Sequence, residues 1–233
     1  MGGGRQLRRR RSPAATGHGR QPDRLGHGHY TRARPADPAF GTAPVEPAAA
    51  AKSLARSQEQ LVERSRFGIP ALVHEECLAG FAAWRATAYP VPLAWGATFN
   101  PELIARMANT IGRSMRAAGI HQGLAPVLDV ARDYRWGRTE ETISEDPYLV
   151  STIGTAYVQG LEGAGIISTL KHFAGYSASR AGRNLAPVSM GPREFSDVLL
   201  PRSRPPSGWA EPGRSCIPTP RLTGCPLPPI KPC

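Results

Sequence analysis

Residues 165–172 have the sequence Gly-Ile-Ile-Ser-Thr-Leu-Lys-His, a short apolar run that begins at a glycine and ends on Lys171 and His172. Two earlier stretches have the same form: residues 68–76, which end on two glutamates, and residues 119–126. Short apolar runs bounded by glycine are typical of buried β-strands. The pattern therefore predicts three strands, each followed by polar residues.

A helical segment precedes each predicted strand. The sequence predicts one helix over residues 47–64, a second starting at Asn100-Pro101-Glu102 and a third starting at Asp146-Pro147-Tyr148. Asn and Asp are good N-caps, and proline fits the first helical position. The predicted apolar faces are Leu103, Met107, Ile111 and Met115 in the second helix, and Leu149, Ile153, Tyr157 and Leu161 in the third.

Alternating helices and strands indicate βα units and a parallel sheet. An open doubly wound sheet and a closed barrel both fit this alternation. Polar residues at the C-terminal ends of all three strands favour the barrel, because such barrels gather their sites there. The predicted fold class is α/β: a partial (β/α)8 TIM-type barrel, roughly its first half, with disordered basic termini.

The net charge of +11 lies at the two ends of the chain. Residues 1–38 have a balance of +7 and residues 202–233 a balance of +4, so residues 39–201 are neutral. A nucleic-acid-binding protein acting through these ends is the alternative that the charge suggests. We expect no nucleic-acid partner, because no aromatic residue interleaves the arginine run at residues 8–11 and a solvated basic tail explains it.

The same division predicts three segments: a disordered basic segment at residues 1–38, a folded domain at 39–201 and a disordered Pro/Arg-rich tail at 202–233. The tail holds nine prolines and three of the four cysteines, whose spacing fits no zinc site. We expect no membrane partner and a cytoplasmic location, because the sequence shows neither a membrane-length apolar run nor a signal peptide.

Several motifs follow one another along residues 67–201. They are Gly68-Ile69-Pro70-Ala71-Leu72, His74-Glu75-Glu76, Ala125-Pro126-Val127-Leu128-Asp129, Arg135-Trp136-Gly137-Arg138, Ser144-Glu145-Asp146-Pro147-Tyr148, Lys171-His172-Phe173 and Gly182-Arg183-Asn184. In this order they resemble the N-terminal barrel domain of family 3 glycoside hydrolases, the β-glucosidase and β-xylosidase group. The resemblance implies hydrolysis of terminal β-D-glucosides or β-D-xylosides with retention.

The resemblance also implies which residues bind the sugar. They are Glu76, Arg138, Lys171, His172 and Arg183, and the implied partner is a β-linked glycoside or oligosaccharide. It implies no metal and no organic cofactor. Glu76 stands where many of these glucosidases have Asp.

Other interpretations of these loops stay open. Arg138 could instead pair with Glu140 or Glu141. Asp129 and Asp133 are expected to hold loop backbone or an arginine, because acidic loop residues commonly accept bonds from backbone donors. Trp136 and Phe173 are expected in the core.

Retaining glycosidases need two carboxyl groups about 5–5.5 Å apart. The resemblance implies a nucleophile on a later strand and an acid/base beyond it, and it stops at Pro201. No catalytic residue is therefore assigned within this chain, which we expect to be inactive. A reading-frame shift is our hypothesis for residues 202–233. The alternative function is a non-catalytic carbohydrate-binding pseudoenzyme.

Overall fold

The computed structural model describes residues 45–200. In chain order they form α1 (Pro47–Arg64), β1 (His74–Glu75), α2 (Pro92–Gly96), α3 (Pro101–Ala117), β2 (Gln122–Gly123), α4 (Pro147–Gly163), β3 (Ile167–Ser168) and α5 (Pro192–Glu194). Short 3-10 helices at Thr139–Glu141, Tyr176–Ala178 and Arg180–Gly182 and a π-helical turn at Phe195–Leu199 complete the elements. The predicted disordered segments, residues 1–38 and 202–233, lie outside the described residues.

The three strands form one parallel sheet in the order β1-β2-β3. His74 is in register with Gln122, which is in turn in register with Ile167. Helices separate the strands along the chain, so the predicted alternation is confirmed. The parallel arrangement places the C-terminal ends of all three strands at one edge of the sheet.

β2 and β3 are shorter than predicted because the hydrogen-bond ladder between them is interrupted. Pro126 follows β2 and has no N–H to donate. Pairing between the two segments resumes around it, where Lys171 N donates to Pro126 O at 3.2 Å and Leu128 N donates to Lys171 O at 2.5 Å. The polar end of the third segment is thus tied to the loop after β2.

The N-terminal part of the first predicted strand is not buried. Ile69 and Leu72 are 67% and 57% exposed, so the prediction of a buried strand over residues 68–72 is wrong. Ala71 instead pairs its backbone with the side chain of Gln58 in α1, its N donating to Oε1 at 2.9 Å and its O accepting from Nε2 at 2.8 Å. One amide side chain satisfies the polar groups of Ala71 that a neighbouring strand would otherwise satisfy.

The helices begin where the sequence predicts. Asn100 Oδ1 accepts from Leu103 N at 3.0 Å, and Asp146 Oδ1 accepts from Tyr148 N at 2.9 Å. Each cap satisfies one of the backbone donors that a helix start leaves without an intrahelical partner. Within residues 45–200, no helix combines the length and apolar character needed to cross a membrane.

The buried face of α3 matches the predicted one at Ile111 and Met115 and differs at its N-terminal end. Leu103 is 41% exposed, and the buried residues are Ile104, Ala108, Ile111, Gly112 and Met115. Steps of four, three and four residues keep side chains on one face of a helix with 3.6 residues per turn, whereas repeated steps of four drift around it. In α4, the predicted Ile153, Tyr157 and Leu161 are buried, and Val150 is buried rather than Leu149.

Small residues allow α3 and α4 to pack closely. A Cβ added to Gly160 would lie 2.1 Å from the carbonyl oxygen of Ala105, and one added to Gly112 would lie 2.7 Å from Cβ of Ala164. Neither site has room for a methyl group. These glycines therefore set the distance between the two helices.

A buried thiol lies beside this helix pair. Trp95 stacks on Tyr157 with ring centroids 4.8 Å apart, and Tyr157 OH donates to the carbonyl oxygen of Cys77 at 2.6 Å. Cys77 is fully buried, and this burial raises the pKa of its thiol to about 12. The thiol therefore stays protonated at neutral pH.

Gly160→Ala should destabilise the domain by about 2 kcal/mol, because the new methyl group overlaps the Ala105 carbonyl. Gly163→Ala in the same helix is the matched control, since the nearest atom to its added Cβ is Asn109 Nδ2 at 3.6 Å. Urea unfolding followed by circular dichroism measures both variants. Equal stabilities would contradict the close contact between α3 and α4.

Cys77 should react slowly with iodoacetamide in the native protein. A variant with serine at Cys216, Cys225 and Cys233 leaves Cys77 as the single thiol. Because the reactive species is the thiolate, alkylation near neutral pH should be at least about 100-fold slower in buffer than in denaturant. Mass spectrometry of timed samples gives both rates, and similar rates would show that this thiol is accessible.

Candidate functional site

An ion pair joins the ends of the first and third strands. Glu76 directly follows β1, and Lys171 Nζ lies 3.2 Å from each of its carboxylate oxygens. The Lys171 side chain is 5% exposed, whereas that of Glu76 is 50% exposed. A buried ammonium group needs such a partner. The pair therefore places one carboxylate at the surface of the site, with the ammonium group behind it.

Asp129, in the loop after β2, accepts hydrogen bonds from two backbone N–H groups and contacts the His172 ring. Its Oδ2 accepts from the backbone N of His172 at 3.1 Å and lies 2.7 Å from the ring Nδ1 of the same residue, and its Oδ1 accepts from Ser177 N at 3.1 Å. The Asp129 side chain is fully buried. The prediction that Asp129 holds loop backbone is confirmed. Its contact with the His172 ring links residues 43 positions apart and is not predicted by any local pattern.

Arg138 connects the Asp129–His172 pair to a second loop. Its Nε and Nη2 donate to the two oxygens of Glu141 at 2.7 and 2.6 Å, and its Nη1 lies 3.2 Å from His172 Nε2. The hydrogen bond with Glu141 raises the pKa of Arg138 above its usual value. Of the two partners considered from the sequence, Glu141 is the one that the structure shows. Arg138 nevertheless also contacts His172.

Aromatic rings surround these polar groups. The Arg138 guanidinium carbon lies 5.6 Å from the ring centroid of Tyr176, and the His172 ring meets Tyr176 edge to face at 4.9 Å. Trp136 is buried, as predicted. Phe173 is 44% exposed, so its assignment to the core is wrong. The residue before Phe173, His172, occupies the buried position beside Asp129.

Arg183 lies apart from the ion pairs. It is exposed, its Nε donates to Arg180 O at 3.4 Å, and within residues 45–200 no ion pair joins it to the other predicted site residues. Its loop is nevertheless close, because a Cβ on Gly182 would lie 2.5 Å from Trp136 N. The structure therefore brings together four of the five predicted residues and places the fifth on an adjoining turn.

Asp133 holds an arginine, as predicted. Its carboxylate accepts from Arg135 Nε at 2.9 Å and from Nη2 at 2.7 Å. These hydrogen bonds lower the pKa of Asp133 to about 2. Tyr176 and Ser177 were not singled out from the sequence, because nothing in their own spacing indicates contact with Asp129 or Arg138. In the part of the chain described, no group of three His, Cys, Asp or Glu residues is placed to bind a metal ion.

Comparison with known families decides what these loops belong to. The model of the glycosyl hydrolase family 3 N-terminal domain matches residues 38–202. The chain belongs to this family. The resemblance drawn from the ordered motifs is thereby confirmed. The cluster formed by the pairs Lys171–Glu76, His172–Asp129 and Arg138–Glu141 lies within the matched family 3 region.

Similar family 3 proteins include β-xylosidases and β-glucosidases. A β-xylosidase from Formosa agariphila is 38% identical over 166 residues, which are 64% of this chain and 23% of that protein. A β-glucosidase from Erythrobacter marinus superposes with a TM-score of 0.67 at 38% identity, over 68% of this chain and 22% of that one. A variant of a β-glucosidase from Listeria innocua, in complex with laminaribiose, gives a TM-score of 0.62 at 34% identity, over 66% of this chain and 22% of that one.

This chain therefore spans less than a quarter of the length of these relatives.

Proposed function

We propose that this domain is the sugar-holding part of a family 3 glycosidase acting on terminal β-D-glucosides or β-D-xylosides. The observation that carries the proposal is the half-exposed Glu76 carboxylate paired with the Lys171 ammonium group, beside the contact between Arg138 and His172. The names of the relatives, β-xylosidase and β-glucosidase, support both sugar types. The laminaribiose complex of the Listeria innocua relative supports a β-linked glucose unit as ligand.

A pyranoside presents hydroxyl groups, each of which is both a donor and an acceptor. Glu76 can accept from a hydroxyl, while the Lys171 ammonium group and the Arg138 guanidinium can donate to one. Charge-assisted bonds of this kind are stronger than those between neutral groups. Arg183 completes the proposed sugar contacts from the adjoining turn, and the bonds proposed here need no metal ion or organic cofactor.

We infer that the described units are the first part of a (β/α)8 barrel. Three parallel strands follow one another in sequence order, with helices between them, and β1 and β3 are the outer strands of the sheet within residues 45–200. The superposition on the Erythrobacter marinus enzyme supports this inference. A barrel would continue from both outer strands, and its polar C-terminal edge would extend the cluster described above.

We also propose that the 233-residue chain binds sugar without cutting it. The carboxylates of the cluster hold neighbouring groups in place, and none stands at a position that the family resemblance assigns to the nucleophile or the acid/base: Glu76 contacts Lys171, Asp129 contacts His172 and Ser177, and Glu141 contacts Arg138. A retaining mechanism needs one carboxylate as nucleophile and a second as acid/base. The same observation favours the second candidate function, a carbohydrate-binding module without catalysis.

Lys171→Met should weaken binding of methyl β-D-glucoside or methyl β-D-xyloside at least about tenfold, because a charge-assisted donor is lost while the buried stem keeps its packing. Lys52→Met, on the exposed surface of α1, is the matched control and should leave affinity unchanged. Isothermal titration calorimetry measures both variants. Equal affinities would remove Lys171 from the sugar site.

The full chain should release no nitrophenol from nitrophenyl β-glucoside or β-xyloside above the rate in buffer. The reason is that no residue of the cluster stands at a position that the family resemblance assigns to the nucleophile or the acid/base. Absorbance assays at high protein concentration give the measurement. Turnover that disappears in Lys171→Met but persists in Lys52→Met would show that this chain carries its own catalytic carboxylates.

A further inference from the structure

The Asp129 carboxylate and the His172 ring make a contact that sugar binding alone does not explain. Oδ2 of Asp129 accepts from the backbone N of His172 and also lies 2.7 Å from its ring Nδ1. Both side chains are buried, at 0% and 8% exposure. A carboxylate accepts hydrogen bonds at both oxygens when it is ionised, so this geometry favours a proton on Nδ1.

The other ring nitrogen faces a cation. His172 Nε2 lies 3.2 Å from Arg138 Nη1, and a guanidinium group only donates hydrogen bonds. Nε2 must therefore accept, which requires that it carries no proton. A doubly protonated ring would place a second positive charge 3.2 Å from Arg138. The third neighbour, Tyr176, meets the ring edge to face and adds no charge.

We propose that Asp129 is a positioning residue that keeps His172 as the neutral Nδ1–H tautomer, so that Nε2 is an acceptor that orients the Arg138 guanidinium. The importance of this arrangement for sugar binding rests on the function proposed above. Glu141 occupies the Nε and Nη2 side of the guanidinium, and His172 fixes Nη1. The remaining N–H groups are then held in one orientation toward a ligand.

Nitrogen NMR of histidine-labelled protein tests the proposal directly, because protonated and unprotonated ring nitrogens resonate far apart. The chain has six histidines, and the His172 signals are those lost in His172→Gln. We expect Nδ1 protonated and Nε2 unprotonated in the wild-type chain. The Nε2–H tautomer, a doubly protonated ring at neutral pH or the averaged shifts of a freely exchanging imidazole would each overturn the proposal.

Two further variants show whether Asp129 or Arg138 sets the tautomer of His172. Arg138→Met removes the donor that faces Nε2, and we expect it to keep the Nδ1–H form because Asp129 remains. Asp129→Ala removes the acceptor that holds the ring against Arg138. The freed ring can turn away from the guanidinium, so it should populate the Nε2–H form, which isolated imidazole side chains prefer. If Arg138→Met loses the Nδ1–H form, or if folded Asp129→Ala retains it, Asp129 does not set the tautomer.

Asp129→Asn is the conservative control. Its single carbonyl oxygen can replace Oδ2, which serves two bonds to His172, while the bond from Ser177 N is lost. We expect the Nδ1–H form and most of the glycoside affinity to survive in Asp129→Asn, and affinity to fall at least about tenfold in Asp129→Ala. Equal losses in both variants would indicate a role confined to packing the Ser177 turn.

The tautomer and the affinity are read independently. A wild-type chain with the Nδ1–H tautomer but no glycoside affinity would contradict the proposed function and leave the role of Asp129 standing.

Discussion

One buried carboxylate, that of Asp129, joins three parts of the site. Burying an ionised group is costly unless hydrogen bonds compensate it, and here two backbone N–H groups donate to the carboxylate and the His172 ring contacts it. These bonds tie the loop after β2 to the loop after β3 and to the Ser177 turn. Lys171 directly precedes His172 in the sequence, and Arg138 contacts the His172 ring. The placement of both cations therefore depends on this one acid.

The cluster also explains how a neutral domain can contain strongly charged groups. Lys171 is matched by Glu76, whose side chain is more exposed than that of the lysine. Arg138 is matched by Glu141, whose side chain is slightly less exposed than that of the arginine. A neutral polyol offers many hydroxyl groups and no net charge, so a site of paired charges suits it better than an excess of either sign. The neutral charge balance of residues 39–201 agrees with this arrangement.

The sequence predicted features that are set by neighbouring residues or imposed by parallel topology. Asn100 and Asp146 cap their helices through bonds to nearby backbone, and the parallel sheet brings Glu76 and Lys171 to one edge. Burial at Ile69 and Phe173 was mispredicted, because exposure depends on which distant segment covers a residue. The bond from His172 to Asp129 spans 43 positions, and no local pattern reports it.

The two hydrogen bonds of the Gln58 side chain have a consequence for the order in which parts of the domain unfold locally. α1 buries only Ala50 and Leu54 among its 18 residues, and its link to the segment before β1 is made by this amide. α3 and α4, by contrast, interlock through glycines that admit no added methyl group. Opening that exposes little apolar surface costs least. We therefore expect amide hydrogens of α1 to exchange with solvent, and its peptide bonds to be cleaved by proteases, before the α3–α4 pair separates.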